Sequence, residues 1–171
     1  LDKKIFPEFV RIHEQPLIMG GMGSAAFDGE GVATSARDIV SDGILRGYVL
    51  GSYSARRLEL QTTGNAGGVH NLTIDTGDQN LEQMISGIDE GFLVTELIGF
   101  GINNVTGDYS RGAAGLWIEN GEIAYPVEEV TVAGNLKDIF QNIAAIGNDV
   151  DPRRSTRCGS ILVEGLTIAG D

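Results

Sequence analysis

The ten residues Leu116-Trp-Ile-Glu-Asn-Gly-Glu-Ile-Ala-Tyr125 decide the fold class. Two apolar runs flank Asn120-Gly121, and Asn-Gly in that setting is the strongest short hairpin signal, because a type I′ turn needs φ > 0 at both central residues. Val127 to Val132 extends the second strand. A hairpin of the same kind stands upstream, where Ile39-Val40 and Ile44-Leu45 surround Ser41-Asp42-Gly43 and Tyr48-Val49-Leu50 continue the strand. Phe92 to Gly99 reads as a further strand, and Gly159 to Gly170 as one or two more.

Helices are few. Leu81, Met84, Ile85 and Ile88 follow the i, i+3, i+4, i+7 spacing of one buried face, with Asp78 near the start and Gly91 as a stop. Leu136, Ile139, Phe140 and Ile143 repeat the pattern, with Asn135 as N-cap and Gly147 near the stop. A short helix is expected over 54–60. Residues 1–15 mix charge with apolar groups, and Pro7 and Pro16 break any long element there. The expected fold is mainly β (α+β): antiparallel sheets forming a sandwich or partly open barrel with two or three helices, as one domain over 1–171.

Glycine supplies 25 of the 171 residues, about twice the ordinary usage of about 7%. It has no period, which excludes a collagen-like chain. It gathers instead in three stretches, 16–31, 62–71 (TTGNAGGVHN) and 99–115 (GFGINNVTGDYSRGAAG), all read as loops. Twenty-four acidic residues against twelve basic give a formal charge of −12. Such a surface repels phosphate backbones and anionic lipid, so neither nucleic acid nor membrane is expected as a partner. No apolar run reaches the roughly 18 residues of a membrane helix. The single cysteine, Cys158, permits no internal disulfide and suits a reducing, cytoplasmic setting. The chain opens on Leu1 rather than Met, and is expected to be a piece of a longer protein whose earlier domain is missing.

Catalytic signatures are incomplete. His13-Glu14 begins like His-Glu-x-x-His, whose histidines share one helix face to reach one zinc, but Leu17 and Ile18 stand where the second histidine is needed, and Pro16 spoils the helix. The other histidine is His70, and nothing in its spacing to His13 or Cys158 asks for a metal. Ser110 lies in Gly107-Asp-Tyr-Ser-Arg-Gly112, one residue off the Gly-x-Ser-x-Gly elbow. Asp108 and Ser110 are expected to satisfy backbone groups in a turn, Cys158 to be a small buried hydrophobe, and Trp117 to pack in the sheet. No catalytic or metal residue is assigned, and no cofactor is expected in this chain. The binding expectation rests on Gly64, Asn65, Gly67, Gly68 and His70 in one loop, and Gly107, Asp108, Tyr109, Ser110 and Arg111 in another. Segments 62–68 and 105–112 are expected on one face that meets a partner subunit or an extended peptide.

A longer run carries a resemblance. Val105 to Ile123 (VTGDYSRGAAGLWIENGEI), then Tyr-Pro-Val at 125–127 and Ala-Gly-Asn-Leu at 133–136, resembles the C-terminal hallmark of the TldD/PmbA metallopeptidase family. The order FDGEGVAT, DGILRGYVL, YSARRLEL, TTGNAGG, VTEL and a final Cys-Gly-Ser agrees across essentially the whole chain. HNLTI and the Asn-Leu-Lys-Asp helix start are closer to PmbA, also called TldE, than to TldD. The resemblance implies a TldD-like subunit as partner, or self-association through a related interface, in a cytoplasmic complex that cleaves or matures small or unfolded peptides. It places the zinc in the TldD-type partner, on an upstream His-Glu-x-x-x-His helix. The family's label as a DNA gyrase modulator gets no support from so acidic a sequence. Two other readings remain open: the C-terminal half of an active peptidase with its histidines upstream, and a peptide-binding β module unrelated to proteolysis.

Overall fold

The computed structural model describes residues 1–170. In chain order the elements are β1 (Ile12–Glu14), β2 (Arg37–Ser41), β3 (Ile44–Leu45), α1 (Ser52–Arg57), β4 (Leu72–Ile74), α2 (Leu81–Ser86) and β5 (Glu90–Ile98). They continue with β6 (Asp108–Glu119), β7 (Glu122–Asn135), α3 (Leu136–Gln141), β8 (Ile143–Ile146), β9 (Thr156–Arg157), β10 (Ile161–Val163) and β11 (Thr167–Ala169). They divide into two units, the first of Leu1–Thr76 with Asp149–Gly159, the second of Gly77–Asn148 with the segment from Ser160.

In the first unit five strands pair in the order β3-β2-β1-β4-β9. All neighbours are antiparallel except β4 and β9, which run parallel. The turn between β2 and β3 has Asp42 at φ 54° and Gly43 at φ 70°, the pair of left-handed residues that the Asp-Gly signal predicts. A side chain on Gly43 would begin 2.3 Å from the Phe6 carbonyl oxygen. Val10, Val40, Leu50 and Ala55 are buried.

In the second unit four strands pair antiparallel in the order β11-β7-β6-β5, and β10 pairs with β8. Ala113, Val130 and Val132 form the buried centre, and Phe92, Tyr109, Val127, Leu166 and Ile168 pack onto it. Full burial of one such valine stabilises by about 1.5–3 kcal/mol. Trp117 stands opposite Phe92 on one side and Tyr125 on the other, its ring centroid 6.3 Å from that of Phe92. The β6–β7 turn is the expected one, with Asn120 at φ 51° and Gly121 at φ 81°.

The architecture is therefore mainly β with three short helices, and no sheet among the described residues closes into a barrel. Helix α2 starts on Asn80 rather than Asp78: Asn80 accepts from the Gln83 amide while Gln83 reaches back to the Asn80 amide, a complete capping box. It ends at Ser86 with Gly87 as C-cap, short of Ile88, because the chain must turn there to begin β5. Asn135 caps α3 as expected, accepting from the Lys137 amide.

Two further expectations change, and two strands went unread. The supposed loop 99–115 is strand from Asp108 onward, because its glycines let backbones close: a Cβ on Gly115 would sit 2.0 Å from the Leu93 carbonyl oxygen. Tyr48–Leu50 do not continue β3; Leu50 is instead tied by its backbone to Thr62 and Thr63. Strands β1 and β4, three residues each, are too short for any alternation to announce them.

Gly121→Val should destabilise the protein by roughly 1–3 kcal/mol, since a β-branched residue at φ > 0 is strongly disfavoured. The new Cβ would also press on the Ser86 carbonyl oxygen, 2.8 Å away. Urea denaturation checks it, and an unmoved midpoint would refute the turn's role.

Candidate functional site

Strand β1 lies at the middle of the first sheet and sends successive side chains to opposite faces. Glu14 goes inward and is 1% exposed. A buried carboxylate must have its acceptor sites filled. Its Oε1 accepts from Asn65 Nδ2 (2.7 Å) and from the His70 backbone N–H (2.6 Å), and His70 Nδ1 lies 3.2 Å away, placed to donate a ring proton. Its Oε2 accepts from Arg37 Nε at 3.2 Å. Asn65 completes the set, accepting on Oδ1 from Arg37 Nη2 and Thr63 Oγ1, both at 2.7 Å, and donating to the Gly68 carbonyl.

The glycine-rich loop 62–71 is thereby tied to the sheet through its own polar side chains. Asp28 holds it from the other side, accepting at 2.9 Å from the amides of Ala66, Glu30 and Val32. Those bonds, the one from Ala66 above all, hold the Asp28 carboxyl below the usual carboxylate range. Gly64 is enclosed, with a hypothetical Cβ 2.6 Å from the Ala33 carbonyl oxygen. Gly67 (φ 107°) and Gly68 (φ 128°) face open space. Of the five residues expected to bind in this loop, Gly67 faces solvent, Gly68 is tied to Asn65 through both its backbone N–H and its carbonyl, and Asn65 and His70 are engaged inward.

The opposite face of β1 carries charge. Arg11 forks between Asp38 and Asp75, and His13 Nε2 lies 3.0 Å from Asp75 Oδ1. A depression of about 230 Å³ is lined by Arg11, His13, Gln15 and Arg37 among others. Cys158 is half-buried; burial first, and then the charge of Asp149, push its thiol up, so it stays protonated at neutral pH. His13, His70 and Cys158 do not fit a zinc site. Each histidine is turned to its own carboxylate, and no three His, Cys, Asp or Glu side chains among the described residues group as a metal would need.

In the second unit the segment 99–112 is the end of the β5–β6 hairpin. Its turn is organised by Asn103, whose side chain accepts from the amides of Val105 (2.9 Å) and Thr106 (3.2 Å). The Asn103 amide donates to the Asp108 carbonyl at 2.8 Å, and the Gly107 amide to the Asn103 carbonyl at 2.8 Å. Asp108 accepts from Thr106 Oγ1 and from Asn135 Nδ2, so its carboxylate serves the turn. Gly101 and Ser110 approach so closely that a Cβ on Gly101 would fall 1.5 Å from the Ser110 carbonyl oxygen. Tyr109 packs on the Ala113–Val130–Val132 cluster, and Arg111 Nη2 donates to the Leu97 carbonyl. Phe100, Ile102 and Val105 are exposed there, with the polar Asn104 and Ser110 exposed beside them. A shallow cavity of about 340 Å³ lies among Phe100, Gly101, Ile102, Asn103, Asp108 and Ser110. Asn103 and these apolar residues went unread in the sequence, although Asn two residues before a free amide is a turn signal. The loops 62–68 and 105–112 belong to different units.

The profile described as PmbA/TldA metallopeptidase C-terminal domain matches residues 1–170. The chain belongs to the PmbA/TldD metallopeptidase family. It is 52% identical over 170 residues to Metalloprotease PmbA of Escherichia coli, covering 99% of this chain and 38% of that one. A Bacteroides thetaiotaomicron crystal structure, of a protein named as a candidate modulator of DNA gyrase, superimposes with a TM-score of 0.93 at 36% identity, covering 99% of this chain and 38% of that one. TldE from Thermococcus kodakarensis gives 0.84 at 27% identity, covering 99% and 42%. The chain thus spans well under half the length of these PmbA and TldE relatives, as the C-terminal domain of the family.

Two outcomes test the polar network. Glu14→Ala strands the Arg37 guanidinium and should cost about 3–5 kcal/mol in urea denaturation, with Glu14→Gln losing less because its amide oxygen still accepts. Asp28 has a lowered folded-state pKa, so its contribution is present above the ordinary carboxylate range and is lost as pH falls through the folded value. Asp28→Asn should therefore flatten the fall in the urea midpoint between about pH 6 and about pH 3.

Proposed function

We propose that this chain is the C-terminal domain of a PmbA (TldE)-type subunit that does not itself catalyse, and that serves a TldD-type zinc subunit in the cleavage or maturation of small or unfolded peptides in the cytoplasm. The observation that carries the reading is that its potential zinc ligands do not converge. His70 lies against buried Glu14 and His13 against Asp75, and no three His, Cys, Asp or Glu side chains among the described residues group as zinc would need. The likeness to TldE at a TM-score of 0.84 supports the same side. No helix among the described residues is long and apolar enough to cross a membrane.

Zinc in the complex belongs to the partner in this reading, and no step passes through this chain. Its contribution is surface. The exposed stretch at Gly67 in one unit and the hairpin end with Phe100, Ile102 and Val105 in the other are the places that meet the partner subunit or a peptide.

The expected result is that the purified full-length subunit holds no stoichiometric zinc and cleaves no peptide alone, while mixing it with a TldD-type subunit restores both. Metal analysis with a peptide-cleavage assay reads this. One tightly held zinc and cleavage by the lone subunit would establish the other reading, an active peptidase with its histidines upstream.

A further inference from the structure

Asn120 is the only asparagine in the chain followed by glycine. That pair is chemically labile as well as suited to a turn. The Gly121 backbone nitrogen can attack the side-chain carbonyl carbon of Asn120 to form a cyclic imide. The carbon's bond to the side-chain nitrogen breaks, and ammonia leaves with the proton that Gly121 gives up. Water then opens the ring at either carbonyl, giving aspartate or isoaspartate. Glycine hinders this attack least, having no side chain and a freely turning backbone. Asn120 is exposed, so solvent reaches it.

The fold holds the attacking nitrogen away. The Gly121 N–H donates to the Ile88 carbonyl at 2.8 Å, and the Asn120 N–H to the Asp89 carbonyl at 2.7 Å. Angles φ of 51° at Asn120 and 81° at Gly121 keep both residues in the left-handed turn. The end of α2 lies against that turn, with the Ser86 carbonyl oxygen 2.8 Å from where a Cβ on Gly121 would stand. Helix α2, residues 87–89 and the β6–β7 turn thus form one clasp, anchored by buried Met84 and Ile85. Reaction requires the clasp to open, since only then does the Gly121 nitrogen leave its acceptor.

We infer that Asn120 is a deamidation site gated by this clasp, unreactive while α2 is seated on the turn and reactive when it lifts. The products feed back on the gate. Glu90, Glu119 and Glu122 stand directly opposite one another on β5, β6 and β7, three exposed carboxylates in one row. Like charges so placed oppose strand pairing. Aspartate at 120 adds another carboxylate beside them. Isoaspartate does more, because it lengthens the main chain by one carbon within a two-residue turn that joins Glu119 to its partner Glu122. Either product weakens the clasp that restrained the reaction, so a molecule that opens and reacts does not close as it was.

The test follows the full-length subunit at mildly alkaline pH by peptide mass mapping, with isoaspartate-specific methylation to identify the product. Conversion at Asn120 should be at least about tenfold slower in the native protein than in urea, because it follows the open fraction. Ile85→Ala loosens the buried side of α2 and should raise the native rate at least about threefold, and the milder Ile85→Val should raise it in the same direction. Val40→Ala, a cavity in the other unit, should leave the rate unchanged. Asn120→Asp should lower the urea midpoint at low salt and recover toward the parent as salt screens the row. Equal rates in native protein and in urea overturn the inference. Acceleration by Val40→Ala as large as that by Ile85→Ala overturns it too, since global unfolding would then be the gate. An Asn120→Asp midpoint equal to the parent's at low salt overturns the feedback of product on clasp.

Discussion

A carboxylate buried at the centre of a sheet sets the terms for the first unit. Glu14 is 1% exposed, and an uncompensated charge there would cost several kcal/mol. The protein fills its acceptor sites from two directions, with Arg37 from the adjacent strand and with Asn65 and His70 from a glycine-rich loop distant in sequence. The loop's conformation follows from that demand. Asn65 must come inward, so Gly64 is pressed against the Ala33 backbone, while Gly67 and Gly68 take left-handed angles that other residues rarely adopt.

The hairpin end of the second unit obeys the same rule on a smaller scale. Asn103 and Thr106 satisfy the turn's amides and the Asp108 carboxylate, so the polar residues that look available in the sequence face one another. Exposed beside them are Phe100, Ile102 and Val105 with Asn104 and Ser110, and in the first unit Gly67.

Family membership and chemistry meet at the histidines. A metallopeptidase family invites a search for zinc ligands, and the chain has two histidines and one cysteine with which to answer. All three are placed by the needs of folding: His70 on Glu14, His13 on Asp75, and Cys158 in a half-buried place that favours the thiol.

The sequence by itself determined the two hairpin turns and the start of α3, because Asn120-Gly121, Asp42-Gly43 and Asn135 act through their own backbone angles and nearest amides. It also determined the family, through many short motifs in order. It did not announce β1 and β4, which are strands only because neighbours on both sides pair with them. It misled over Gly112 to Gly115, where glycine and alanine mark close strand approach, a property of two backbones rather than of one. Above all, the tertiary structure decided which polar residues are free. Whether Asn65, His70 or Asp108 can serve a ligand depends on whether a buried group elsewhere already needs it, and Glu14 lies 51 residues from Asn65 along the chain.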